Sequence, residues 1–152
     1  MSETPVHEPV DRTGWPEGPW SQEPDRFEFK HAGFQCLLNR NRIGCWCGYC
    51  ALPSGHPWHG KDYSDIEVDV HGGLTYAGFC QGDICHVPLP GESDNVWWQG
   101  FDLCHGGDLV PRCAAEGEWA FSRHQEYRTL QYAMAQTKSL AEQAREAQYS
   151  TS

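Results

Sequence analysis

Length, composition and charge exclude several classes of protein for this chain. Its 152 residues carry a net charge of −10, and 39% hydrophobic residues are typical of one globular domain. Only 11 lysines and arginines are present, and they are scattered, so a basic face for nucleic acid is not expected. No stretch reaches the ~18 apolar residues of a membrane span, and the N-terminus lacks the pattern of a secretory signal. We therefore expect a cytoplasmic protein that binds neither nucleic acid nor membrane.

The first 25 residues are rich in proline and are predicted to form an extended arm. Trp15 and Trp20 favour an arm that lies on the domain surface, because indoles have a large apolar area to bury. A tail without contacts is the alternative. A single domain is expected over residues 26–148.

The next part of the chain alternates apolar and polar residues, which predicts short β-strands. The runs FEFKHAGFQCLLNR and IGCWCGYCAL predict an antiparallel hairpin whose turn covers residues 39–42. The clearest alternation is IEVDVH, in which Ile66, Val68 and Val70 face one side. LTYAGF and VWWQGFDL predict two more strands, so we expect a sheet of about five.

The C-terminal part has helical periodicity. Residues 125–148 contain neither glycine nor proline, and their apolar residues recur every three or four positions. Ser122 and Gln125 fit a capping box at the start of this helix. The stripe could serve a partner helix, but packing within the chain is more common. The predicted fold class is α+β, an antiparallel sheet with one long C-terminal helix packed on it.

The eight cysteines have several possible roles. In a reducing cytosol we expect most of them to be buried thiols. A structural zinc site is the alternative, although Cys45 and Cys47 share one face of a regular strand while Cys50 points away. Cys104, beside His105, is a candidate nucleophile, but sequence neighbours rarely align a thiol with an imidazole. The cysteine set for zinc would be Cys36, Cys45, Cys47 and Cys50, with Cys80, Cys85, Cys104 and Cys113 as a second set.

Histidines and aspartates at strand ends form the strongest candidate site. In VHGGLTY, His71 ends a strand before two glycines. In GFDLCHGGD, a strand delivers Asp102, and a glycine loop brings round His105 and Asp108. We predict that these four side chains share a pocket for acid–base chemistry, with His71, His105 and Asp108 as ligands if a divalent Zn or Mn ion is bound. The alternative is that they only tie loops together.

The glycine- and histidine-rich loop GHPWHGKDY is a candidate rim for that pocket. Its His56, Lys61 and Tyr63 offer hydrogen-bond donors to a ligand, as does Tyr76 beyond the double glycine. The same loop can equally be an ordinary tight turn.

Several blocks of the sequence resemble one known family. GHPWHGKDY, VHGGLTYAG and WWQGFDLCHGGDL, with the terminal YRTLQYAMAQTKSLAEQ, are similar to small uncharacterised proteins encoded by tailed bacteriophages and prophages. The likeness covers residues 48–143 and includes His71, Asp102, His105 and Asp108. It implies an infected bacterial cytoplasm as the setting and no particular chemistry. The cysteine-rich CWCGYC run departs from the family's pattern, apart from Gly48 and Tyr49.

Two functions follow as hypotheses. In the first, a His/Asp pocket binds, and hydrolyses or sequesters, a phosphate-containing small molecule. In the second, the chain is a non-enzymatic inhibitor that binds a host protein, for example to block a defence system. The polar constellation favours the first, whereas the acidic surface and small size favour the second. No nucleotide-binding loop, serine-hydrolase signature or HExxH motif decides whether the protein is an enzyme.

Overall fold

One antiparallel sheet and one long helix form the body of the protein. The computed structural model describes residues 10–82, 84–86, 95–105, 107–114 and 126–150. The predicted α+β class, with one long C-terminal helix on an antiparallel sheet, is confirmed. The sheet order is β1-β2-β3-β5-β4. The elements are β1 (Arg26–His31), β2 (Phe34–Arg40), β3 (Trp46–Pro53), β4 (Tyr76–Phe79), β5 (Val96–Asp102), α1 (Pro111–Ala114) and α2 (Leu130–Ser150), with 3-10 turns at Pro19–Gln22 and Tyr63–Asp65.

The first hairpin has a different turn from the predicted one. β1 and β2 pair through a two-residue turn at Ala32 and Gly33, whose φ values are 55° and 89°. Such a turn needs positive φ at both positions, and its usual sequences begin with Asn, Asp or Gly. Alanine gives no such signal, so the sequence predicted one long strand here. The β2–β3 connection, predicted at residues 39–42, covers the residues between Arg40 and Trp46.

The segment of residues 66–71 was predicted to be a strand, and this prediction was wrong. The burial alternates as expected, because Ile66, Val68 and Val70 pack on the core while Glu67 and Asp69 are exposed. The chain is extended, but it does not join the sheet. It runs beside α2 instead.

Two glutamines of α2 take the place of a neighbouring strand for this segment. The amide of Gln143 accepts the Asp69 N–H and donates to the Asp69 carbonyl, both at 2.9 Å. Gln136 accepts the His71 N–H at 2.9 Å. Alternating burial therefore indicates an extended chain on a core and does not reveal which groups satisfy its backbone.

Helix α2 lies close to β3. A Cβ at Gly48 would be 2.3 Å from the Thr137 Oγ1, so only glycine allows this approach. The helix begins after Thr129, whose hydroxyl accepts the Tyr132 N–H at 3.2 Å as an N-cap. The capping box predicted at Ser122 and Gln125 lies outside the described residues. Large apolar side chains fill the space between helix and sheet, including Leu38, Trp46, Leu52, Phe101 and Leu140.

The end of the N-terminal arm is attached to the domain through a buried arginine. The Arg40 guanidinium is fully buried and bonds Asp25 at 3.0 Å and Glu23 at 3.1 Å. It also stacks on Trp46, with 4.4 Å from Cζ to the ring centroid. Glu23 in turn accepts the first N–H of α2, at Leu130, so the arm and the helix start share one carboxylate.

The cysteines differ from both sequence-based predictions. Cys45 is bonded to Cys104 and Cys80 to Cys85, with Cα atoms 5.8 and 4.6 Å apart. The expectation that most cysteines are free thiols is therefore wrong for these four. Alternation along the sequence could not reveal the first bridge, because 59 residues separate its ends.

The proposed zinc set is also wrong. Cys45 is in a disulfide, and Cys36 and Cys50 are buried on the helix side of the sheet. Cys47 is a free thiol packed against the opposite face. Three of the second set, Cys80, Cys85 and Cys104, are in the disulfides, and the Cys113 side chain lies outside the described residues.

We expect both disulfides to form when the protein is purified in air. A non-reducing digest analysed by mass spectrometry should give linked peptides that join Cys45 to Cys104 and Cys80 to Cys85. Cys36, Cys47 and Cys50 should be alkylated after denaturation without reductant. Alkylation of all eight cysteines would contradict the structure and restore the free-thiol prediction.

None of the helices in the described part of the chain has the length and apolar character required to cross a bilayer.

Candidate functional site

The four residues of the predicted His/Asp site lie together. His71, at the end of the extended segment, meets the loop that follows β5, and its ring centroid is 5.9 Å from that of His105. Its Nε2 is 2.8 Å from Asp108 Oδ2, and the Nε2 of His105 is 3.2 Å from Asp102 Oδ1. The cluster therefore contains two His–Asp pairs side by side.

Asp108 is the buried centre of the first pair. Its Oδ2 accepts from His71 Nε2 and from the His105 N–H at 3.0 Å, while Oδ1 accepts from Arg128 Nε at 2.8 Å. Burial by itself would raise the pKa of Asp108, but the hydrogen bonds from Arg128, the His105 N–H and His71 outweigh it and hold this pKa below its ordinary value. Asp108 is thus an ionised group that organises the loop.

Both ring nitrogens of His71 make hydrogen bonds within the protein. A carboxylate only accepts, so Nε2 donates to Asp108. Nδ1 lies 2.7 Å from the Tyr132 hydroxyl, which donates to it in this tautomer. His71 therefore connects the extended segment to the loop and to α2, and it has no lone pair left for a ligand.

The predicted metal set does not fit this arrangement. A metal ligand needs an unoccupied lone pair, whereas both nitrogens of His71 already make hydrogen bonds within the protein. Across the residues with described positions, no group of three or more His, Cys, Asp or Glu side chains could hold a metal ion.

His105 and Asp102 form the accessible pair. Their side chains are 34% and 30% exposed. Asp102 is fixed by the Thr75 hydroxyl at 3.0 Å and by the Cys104 N–H at 3.1 Å. The His105 ring makes no well-oriented hydrogen bond to any described residue, although the Asp102 carboxylate is near, and its Nε2 is shielded from solvent.

The glycine turn explains how the His105 ring is held. A Cβ at Gly72 would lie 2.2 Å from His105 Nε2, so the ring rests on a backbone without a side chain. Gly72 and Gly73 both have positive φ, at 71° and 80°, which favours glycine at each position. A Cβ at Gly73 would meet no atom within 4 Å, so the space beside this backbone position is open.

Some residues of the site were not predicted from the sequence. Arg128 and Tyr132 bond Asp108 and His71, and the guanidinium stacks on the phenol ring at 4.8 Å. In the sequence, their block YRTLQY shows only a helical pattern and the resemblance to the phage family. Thr75, which orients Asp102, directly follows VHGGL, and no spacing rule singled it out.

The predicted rim does not reach the cluster. His56 is buried and bonds the Ala144 carbonyl at 2.8 Å, about three helical turns along α2 from Tyr132. Lys61 and Tyr63 are exposed in that same distant loop, where the Lys61 carbonyl accepts from the Trp97 indole. A single sequence could not show at which end of the helix this loop packs.

Tyr76 shares a face of the sheet with Asp102, because it is paired with Gly100, two residues before Asp102 on β5. Its ring packs edge-on against Tyr49, with 5.5 Å between centroids, and the Tyr49 ring covers the bare backbone of Gly100. Thr75, one residue earlier, bonds Asp102. The Tyr76 hydroxyl is buried and has no hydrogen-bond partner among the described residues, so it makes no hydrogen bond to the His105 pair.

Comparison of the chain with family models, with curated proteins and with solved structures finds no match.

Proposed function

We propose that the chain is a small accessory protein, of the kind encoded by tailed bacteriophages, that binds a phosphate-containing small molecule at His105. One observation carries this proposal. The His105 side chain is 34% exposed, and its Nδ1 makes no hydrogen bond to any described residue, whereas both nitrogens of the neighbouring His71 are bonded. A ring nitrogen that is neither buried nor bonded within the protein can bond an atom of a ligand.

The neighbourhood of His105 suits a phosphate oxygen. In the imidazolium form both ring nitrogens donate, one toward Asp102 and the other to an acceptor on a ligand. The open space beside Gly73 lets such a ligand approach the backbone. Asp102 and His105 also form a pair that can transfer a proton. Hydrolysis of the bound molecule would use this proton transfer, whereas sequestration would not need it.

The remaining residues of the cluster support His105 rather than contact the ligand. Asp108 holds the His105 N–H, and it is itself fixed by Arg128 and His71. The setting we propose is the host cytoplasm, on the strength of the resemblance. In that compartment the bridged cysteine pairs would be held reduced.

Two glycine variants test the role of His105. Gly72→Ala and Gly73→Ala carry similar backbone strain, about 1 kcal/mol each, because both positions have positive φ. Only the methyl group at position 72 collides with the His105 ring. We expect Gly72→Ala to lower ligand affinity about ten-fold or more, as His105→Ala should, and Gly73→Ala to leave it unchanged.

Titration with inorganic phosphate, pyrophosphate and AMP, followed by histidine-ring NMR and calorimetry, measures these affinities. His105→Ala should shift the free energy of unfolding by less than ~1 kcal/mol, since the ring makes no oriented hydrogen bond. If none of the three probes moves the His105 signals, or if the two glycine variants behave alike, the proposal is wrong.

A further inference from the structure

The extended segment beside α2 has one backbone edge to which no described residue outside the segment is hydrogen-bonded, apart from the ends at Ile66 and Val70. In an extended chain, the N–H and C=O groups of successive residues point to opposite sides. Asp69 and His71 therefore direct their groups toward the glutamines of α2, as observed. Ile66, Val68 and Val70 direct theirs away from the helix.

Four groups on that outer side have no hydrogen-bond partner among the described residues. Ile66 N–H bonds the Tyr63 carbonyl, and Val70 C=O accepts from Gly73. The C=O of Ile66, both groups of Val68 and the N–H of Val70 have no hydrogen bond to any residue whose position the structure describes. We call these four groups the open edge. Their spacing is that of the unpaired N–H and C=O groups along an edge strand.

Charge on the same segment indicates which neighbour it takes. Glu67 and Asp69 are exposed and project outward between the buried apolar residues, and Asp65 precedes them. An added strand would place its own outward side chains about 5 Å from these carboxylates. Lysine or arginine at alternate positions would therefore pair with them, whereas acidic residues would be repelled.

We propose that the open edge is a docking site for an extended, basic segment of a partner protein, which adds to it as a β-strand. Main-chain hydrogen bonds to Val68 supply the affinity, and pairing with Glu67 and Asp69 supplies the preference for basic sequence. The net charge of −10 acts in the same direction, since it attracts a cationic partner over longer distances.

This surface is separate from the His105 pair in its chemistry. It uses backbone groups and exposed carboxylates, and neither His105 nor Asp102 takes part. Basic extended segments are thus the partner class for the protein-binding hypothesis. Binding at the open edge does not depend on small-molecule binding at His105.

Synthetic peptides test it on the full chain. The probes are acetyl-TKVKVKT-amide, its glutamate counterpart acetyl-TEVEVET-amide, and a version of the first with proline in place of both valines. Hydrogen exchange measured by ¹⁵N NMR should show that the Val68 and Val70 amides become protected with the basic peptide only. Proline should abolish protection because it removes a main-chain donor.

A matched pair of charge reversals completes the test. Glu67→Lys changes an exposed carboxylate beside the open edge, whereas Glu146→Lys changes an exposed carboxylate on α2. We expect the first to weaken binding of the basic peptide about five-fold and the second to leave it within two-fold. Protection at other amides only, equal binding of basic and acidic peptides, or equal effects of the two variants would overturn the proposal.

Discussion

Replacing Arg40 with methionine is expected to lower the free energy of unfolding by about 3–5 kcal/mol. The guanidinium is fully buried and bonds both Asp25 and Glu23, so its removal leaves Glu23 without this cation and Asp25 with Arg12 alone. Methionine fills much of the volume but donates no hydrogen bond. Urea denaturation followed by tryptophan fluorescence measures the change.

Two further variants identify the cause of this loss in the free energy of unfolding. Arg112→Met removes an exposed arginine and should change stability by no more than about 0.5 kcal/mol. Arg40→Lys keeps the charge but loses the planar guanidinium that reaches both carboxylates and stacks on Trp46. Its loss in free energy of unfolding should therefore lie between those of Arg40→Met and Arg112→Met. Equal losses for the methionine variants at positions 40 and 112 would show that Arg40 is not the anchor of the arm.

The change Asp108→Asn is expected to cost about 3 kcal/mol at neutral pH. The amide keeps one acceptor but presents a donor toward groups that themselves donate, from Arg128, His71 and the His105 backbone. Asp65→Asn, at an exposed carboxylate, is the control and should have little effect.

The effect of Asp108→Asn should depend on pH. The pKa of Asp108 is lower in the folded protein than the ordinary value of 3.8, so its ionised form stabilises the fold above that value. This contribution is lost as the pH falls through the folded pKa. The difference between wild type and Asp108→Asn should therefore shrink as the pH falls below 3.8. A difference that stays undiminished well below that pH would contradict the network around Asp108.

The two His–Asp pairs differ in their hydrogen bonds, and their sequence motifs do not reveal this difference. Both histidines precede double glycines, and both contact an aspartate. His71 is bonded through both nitrogens, because Tyr132 and Asp108 reach it from opposite sides. His105 rests on Gly72 and remains available. A mutation at His71 is therefore a test of structure, and one at His105 is a test of binding.

Local patterns in the sequence were enough to predict much of the architecture. Helical periodicity after residue 125 predicted α2, and alternation predicted an antiparallel sheet, because burial on one face repeats every two residues in any extended chain. The double glycines marked the places where His71 and His105 come together, since such residues allow close approach of backbone to side chain.

Only the tertiary structure decided which groups satisfy one another across long separations. Residues 66–71 have the pattern of a strand, yet Gln136 and Gln143 bond their backbone from a helix about 70 positions later. Cys45 meets Cys104, and His56 packs at the far end of α2 from His71. Periodicity fixes only which side of an element faces the core. The identity of the partner depends on how the elements pack, and that arrangement leaves no local trace in a single sequence.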